Sequence, residues 1–234
     1  MPTPNTAPAP RTQRGSPRMF ESDFLERFSH VHPATPAVLY LPLAAFSLYW
    51  AHFQNGIGFW RLALELFVGY LVWTLFEYWL HRLLFHMRVV GPKTARAYFF
   101  IHGVHHDYPW DRTRLVIPPG ASLFLCVVVY GMFRVILGGH DMFGPFAGFV
   151  VGYVLYDSVH WYVHARAPKN AFGRWLRREH MVHHFKEPTS RFGVSCPWLD
   201  YVFGTRGRPV GARESDASER NAQEQSPEHI PQAS

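Results

Sequence analysis

The chain has 234 residues, 48% of them hydrophobic, and a formal charge of +6. That length suits one domain of ordinary size. Its two cysteines, Cys126 in an apolar run and Cys196 in a polar segment, argue against a disulfide framework. The basic balance requires no nucleic acid, because anionic lipid is a sufficient partner.

Residues 1–35 are rich in Pro, Thr and Arg and read as a mobile N-terminal tail. The first twenty residues have no apolar h-region, which argues against a cleaved secretory signal. Within the tail, "FESDFLERF" at 20–28 suits a short amphipathic helix at a membrane surface, or an isolated weak helix.

Four apolar runs follow, at 37–53, 59–80, 120–139 and 143–164. Each is long enough to cross a bilayer core as a helix, the first being the shortest and interrupted by Pro42. The expected fold is an all-α integral membrane protein with four transmembrane helices and a histidine-rich cap. Its domain occupies 36–209, and a second mobile polar tail occupies 210–234. About six residues join the first run to the second, and the third to the fourth, whereas about 40 separate the middle pair. Two antiparallel hairpins result, with both tails and the long loop on one side. Outside the runs lie 21 of the 23 Lys and Arg residues, on that side, which places the termini and loop in the cytoplasm. The other two are Arg61 and Arg134; Arg61 and Glu65 are spaced to pair as i and i+4 near the opposite side.

Fifteen histidines are present, and ten fall into four groups. They are "HRLLFH" (His81, His86), "HGVHH" (His102, His105, His106), "HWYVH" (His160, His164) and "HMVHH" (His180, His183, His184). The expected topology puts all four at one membrane face. On a helix, His102 and His106 can chelate one ion while His105 reaches a second, and His180, His184 and His183 repeat the pattern. His160 and His164 are again i and i+4. His81 and His86 are five apart and, on an α-helix, point in different directions, toward different ions. Ten imidazoles suit two metals, and imidazole suits Zn, Fe, Cu or Ni. His30, His32, His52, His140 and His229 stand alone and read as ordinary surface or core residues. Glu77, four residues before His81, and Asp157, three before His160, are placed to accept the second N–H of a ligand imidazole and orient its ring.

The stretches "EYWLHRLLFH", "HGVHHDYPWDRTRLVIPP", "GYVLYDSVHWYVH" and "HMVHHFKEPTSRFGVSCPWLDYVFGT" resemble the membrane fatty acid hydroxylase superfamily, and most closely the fatty acid 2-hydroxylases of sphingolipid metabolism. The resemblance covers about residues 70–205. It implies a four-span enzyme whose ten histidines hold a dimetal centre. It also implies O₂-dependent hydroxylation of the carbon beside an acyl carboxyl or amide. Oxidising an unactivated C–H bond needs a redox metal, so two Fe ions are expected at work, although Zn can occupy the site as isolated. Eukaryotic members often carry a fused haem domain; the 35 residues before the first run are too few for one. A separate electron donor, a reductase with a small redox carrier, is therefore expected.

The lipid acyl substrate would lie among the spans. Arg112 and Arg114 are candidates for its headgroup, and Trp198 and Tyr201 for a cap over the site or an interfacial anchor. Competing readings are sterol oxidation or lipid desaturation on the same centre, a membrane metal transporter, and a zinc hydrolase. Transport favours ligands near the bilayer midplane, and oxygen dependence separates the hydrolase.

Overall fold

The computed structural model describes residues 15–207, and no strand occurs among them. Helix α1 (Asp23–Ser29) is capped by Ser22, whose side chain accepts from the Leu25 N–H. Helix α2 (Thr35–Tyr49) runs into a π-helical turn at Trp50–Gln54. Helix α3 (Phe59–Trp79) does the same at Leu80–Phe85. The long connection holds α4 (Pro92–Tyr98), a third π-helical turn (Phe99–Gly103) and α5 (Val104–Asp107). Then come α6 (Pro119–Asp141), α7 (Phe143–Ala165), α8 (Ala171–Phe185) and α9 (Trp198–Val202). Gly138, at φ 75°, breaks α6 just before the turn into α7.

Helix α7 is the centre of the molecule. It packs most extensively on α3, then on α2, and more lightly on α6. The close approach follows from glycines spaced four apart: Gly144, Gly148 and Gly152 face α3. A Cβ on Gly148 would lie 2.0 Å from the Leu66 carbonyl oxygen, and one on Gly152 would lie 2.6 Å from the Trp73 Cβ. Small residues at this spacing let helix backbones meet where no hydrophobic effect drives association. Around them Trp73, Phe146, Phe149, Tyr153 and Tyr156 build an aromatic core. Tyr40 donates to Ser122 at 2.8 Å and ties α2 to α6.

Among the described residues, two helical segments, Phe59–Phe85 and Pro119–Asp141, are long and apolar enough to cross a membrane. The sequence suggests four. Helix α2 is only 15 residues long before its π turn, and the last two turns of α7 carry Asp157, Ser158, His160 and His164. An apolar belt is nevertheless exposed: Val38, Phe46, Trp60, Phe67, Phe124 and Ile136 present their side chains outward. Arg61 pairs with Glu65 at 2.8 Å, as its spacing suggests, and also with Asp141 at 2.6 Å.

Part of the stretch read from composition as a mobile tail makes specific contacts. Ser16 donates to Asp111 from both its N–H and its hydroxyl. The Val31 N–H donates to the Thr113 carbonyl at 2.7 Å, and Glu26 pairs with Arg114 at 2.5 Å. Residues 1–14 and the polar tail at 210–234 lie outside the described residues. α1 forms, with Phe24, Leu25 and Phe28 exposed.

Candidate metal centre

The ten grouped histidines converge. His81, His86, His102, His106 and His183 form one group, and His105, His160, His164, His180 and His184 the other. In each group the ligand atoms all lie within 4.8 Å of one another. Each group takes an i, i+4 pair from one H-x-x-H-H stretch and the single middle histidine from the other. The helix ends complete them: α3 and its π turn supply His81 and His86, and α7 supplies His160 and His164.

His81 and His86 therefore do not diverge, contrary to their spacing on an α-helix. The Leu80–Phe85 turn is π-helical, and the His86 N–H donates to the His81 carbonyl at 3.0 Å. An i→i+5 turn brings residues five apart onto nearly one face. The isolated histidines stay apart: His30 contacts Glu26 and Thr113, His52 the Ile57 carbonyl, and His140 Asp141. His229 lies outside the described residues.

Backbone carbonyls orient the rings. His81 Nδ1 donates to Phe192 O at 2.6 Å, His160 Nδ1 to Leu115 O at 2.7 Å, and His183 Nδ1 to Ser190 O at 2.6 Å. Each bond places the proton on Nδ1 and leaves the Nε2 lone pair facing inward. The carboxylates expected in this role have other partners. Glu77 accepts from the Ser195 N–H at 2.7 Å, from the Ser195 hydroxyl, and from Trp73 Nε1 at 3.2 Å. Asp157 accepts from the Ile117 N–H at 3.4 Å. Both brace segments that present carbonyls to the rings: Glu77 holds the loop after Phe192, and Asp157 holds the one after Leu115.

The segment at 190–205 had no signal in spacing or periodicity. Arg191 sits at φ 60°, between the two residues whose carbonyls meet His183 and His81. Its buried guanidinium pairs with Glu179, the residue before His180. Asp200 accepts the N–H groups of Phe192 and Gly193, at 2.8 and 2.9 Å. What pointed to them in the sequence was the family resemblance of "HMVHHFKEPTSRFGVSCPWLDYVFGT", without a role for Arg191 or Asp200.

The donor set fits metal ions. Facing Nε2 atoms stand 3.2 Å apart for His81 and His102, 3.0 Å for His86 and His183, 2.9 Å for His105 and His160, and 2.8 Å for His164 and His180. Two nitrogens about 2.1 Å from one ion at a right angle would be about 3.0 Å apart. His106 Nε2 is buried with no protein partner. Burial, reinforced by neighbouring imidazoles, holds His102, His105, His106, His180 and His184 well below the ordinary histidine pKa. Burial likewise lowers His86 to about 4 and His183 to about 3. These rings are therefore neutral near pH 7, the form that binds metal.

An apolar cavity of about 490 Å³ reaches both groups, with His102 from one and His105 and His160 from the other in its wall. Leu84, Phe85, Ile117, Phe124 and Tyr156 line it, and Met19 and Phe20 of the N-terminal stretch close one side. Arg114 lines it too, with Nε and Nη1 buried and without protein partners. Arg112 instead lines a separate groove on the other side of the second group. Trp198 and Tyr201 enter neither wall; they are 45% and 54% exposed, and Arg206 stacks on the Tyr201 ring.

Fold and site together define a helical protein with apolar, membrane-length helices, a ten-histidine centre able to hold metal, and an apolar cavity beside it. The family model "Fatty acid hydroxylase" matches residues 66–205. The chain belongs to that family and is an oxidoreductase. Dihydroceramide fatty acyl 2-hydroxylase FAH2 of Arabidopsis thaliana is 34% identical, over 81% of this chain and 79% of its own. The fatty acid 2-hydroxylase of Rattus norvegicus is 35% identical, over 80% of this chain and 56% of its own. The solved structure of full-length scs7p, in which only the hydroxylase domain is visible, superposes with a TM-score of 0.74. That chain is 34% identical, and the match covers 80% of this chain and 72% of it.

Proposed function

We propose that this protein hydroxylates the acyl chain of a fatty acid or ceramide at the carbon beside the carbonyl, using O₂ and two iron ions held by the ten histidines. The carrying observation is the apolar cavity whose wall includes His102, His105 and His160, so a bound acyl chain meets both histidine groups. The relatives named as fatty acid and dihydroceramide acyl 2-hydroxylases support the same reading.

Bound iron supplies the redox chemistry: O₂ takes two electrons from the C–H bond and two from an electron carrier, with two protons, so one oxygen enters the product and one leaves as water. Zinc, which has no redox chemistry, serves only as an isolation artefact in this reading. The protein's part is placement. Carbonyls of Phe192, Leu115 and Ser190 fix three rings. Apolar side chains keep water from the reacting carbon, and a tail held along the cavity limits which carbon reaches the centre. Arg114, with two free donors in the cavity wall, offers hydrogen bonds to the acyl carbonyl or headgroup.

The topology belongs to the same reading: α2, α3, α6 and α7 span the bilayer, with the histidine centre and both termini on the cytoplasmic side. What supports it is the apolar belt on α2, α3 and α6 and the absence of all but two of the 23 Lys and Arg residues from the four apolar runs. Residues 36–209 then form the hydroxylase domain.

The test is purified, iron-matured protein in lipid, given a reductant, ¹⁸O₂ and either a free fatty acid or a ceramide. A 2-hydroxy acyl product carrying one ¹⁸O is expected. Label from water, or an unsaturated product, would contradict the reading.

A further inference from the structure

The second histidine group has two approaches. The apolar cavity reaches it through His105 and His160, whereas a second groove of about 900 Å³, with three arginines in its lining, reaches it through His164. Leu115 lines both and separates them. The groove lies at the C-terminus of α7, where Arg177 donates to the carbonyls of Val163 and Arg166, and Arg112 to that of Ala165.

Its rim is strongly basic. Arg112, Arg166 and Arg177 line it. Lys169 and Arg174 follow Ala167 of the lining closely in sequence and are exposed, the Arg174 guanidinium donating to the Lys169 carbonyl. From 162 to 178 the chain has five Arg and Lys residues and no Asp or Glu. The carboxylate in the lining, Asp111, is buried and accepts from Ser16 and Thr113. At the floor the Trp110 ring lies 6.2 Å from the His164 ring and under the Arg177 guanidinium at 5.8 Å.

We infer that this groove is the docking surface for an acidic one-electron carrier protein, which delivers electrons to the centre through Trp110 and His164. The inference rests on the reading above, in which O₂ activation draws two electrons from outside the centre. The cavity side is apolar and is taken up by substrate, so a water-soluble carrier needs another approach. This groove is concave, carries Arg112, Arg166 and Arg177, and touches a histidine of the centre. Its excess of positive charge complements an acidic partner and speeds encounter. An anionic membrane surface would match the charge but has no need of a path to His164.

The probe is the pre-reduced soluble haem domain of a cytochrome b5, with full-length iron-loaded protein in neutral lipid nanodiscs. Haem reoxidation and product are measured against probe concentration, from low to high salt. The wild type should saturate with the probe, with a KM that rises steeply with ionic strength. Charge reversal by Arg166→Glu, Lys169→Glu and Arg174→Glu together should raise that KM at least about tenfold and flatten its salt dependence. Turnover driven by dithionite and methyl viologen should be unchanged in the same variant, which also certifies its fold. The control Arg88→Glu with Lys93→Glu, exposed elsewhere among the basic residues, should leave the KM alone.

A wild-type KM in the groove variant, equal loss in the control, or a wild type that cannot oxidise the probe would overturn the assignment. So would a variant whose only defect is weaker binding to anionic vesicles. Absence of hydroxylation with dithionite in the wild type would instead defeat the underlying functional reading. If the triple variant does not fold, the wild-type salt dependence decides: a KM insensitive to salt rejects the docking surface.

Discussion

Glu179 and Arg191 form a buried ion pair directly behind the histidine centre, their side chains 5% and 2% exposed. Glu179 precedes His180 on α8, and Arg191 stands between the carbonyls that orient His183 and His81. The pair thus joins a ligand helix to the loop that sets two rings of the other group. It also holds Arg191 at φ 60°, a conformation that costs about 1–3 kcal/mol and needs surrounding support.

Removing Arg191 takes away the buried partner of Glu179 and leaves its carboxylate only the exposed Arg178 at 3.0 Å and the more distant Arg206 at 4.0 Å. Arg191→Ala should lower stability by about 3 kcal/mol, the low end for breaking a buried pair, and weaken metal retention. Glu179→Leu combined with Arg191→Met should destabilise less than Arg191→Ala alone. Thermal midpoints and metal content of the solubilised variants check both. A single variant of wild-type stability would remove the pair from this role.

The glycine stripe on α7 predicts a steric effect with a built-in control. At Gly148 a new Cβ would stand 2.0 Å from the Leu66 carbonyl oxygen, whereas at Gly131 on α6 nothing lies within 4 Å. Gly148→Ala should sharply reduce the yield of monodisperse protein on size-exclusion chromatography. Gly131→Ala should not. Equal behaviour would mean that α3 and α7 do not meet as described.

The cavity predicts a change in chain-length preference. Ala121 lies in its wall near Phe124 and Leu125. Ala121→Phe should fill part of the space, lowering turnover of the longest acyl chains about tenfold or more relative to short ones. That is roughly the discrimination one or two lost methylene contacts provide. Metal content should stay unchanged. Competition between acyl lengths, read by mass spectrometry, gives the ratio; an unchanged ratio would place the acyl chain elsewhere.

Stability of the metal-stripped protein should depend on pH. Burial lowers His86 to about 4 and His183 to about 3, so the unfolded chain binds protons that the folded one refuses. Their contribution is fully present above about pH 6.5 and is lost as pH falls toward those lowered values. Thermal midpoints should therefore drop steadily from pH 7 to 5. Flat midpoints over that range would contradict the burial of these rings.

Much of this site is legible in the sequence, because metal ligands are side chains with a readable spacing. The two H-x-x-H-H stretches announce their own partition, His105 and His183 each crossing to the group of the other stretch. Less of the support is legible. His81 and His86 meet only because the helix end is π-helical, which a spacing rule for α-helices cannot anticipate. The orienting groups of Phe192, Leu115 and Ser190 are backbone carbonyls, which every residue type possesses. Glu77 and Asp157 looked suitable because they lie near ligands in sequence, yet each bonds a segment far along the chain. Arg114 stood out only as a cation; its partners Glu26 and His30 lie in a stretch whose composition resembles a free tail.

The central claim is that two five-histidine groups form one oxygen-activating centre. Its most direct test measures iron per chain and ¹⁸O in the product for the wild type, His106→Ala from the first group and His184→Ala from the second. The account predicts about two irons per wild-type chain, the number ten imidazoles suit, with label from O₂. It predicts that both variants lose metal and hydroxylation while still inserting into the membrane. Full hydroxylation by either variant, or label arriving from water, would contradict it.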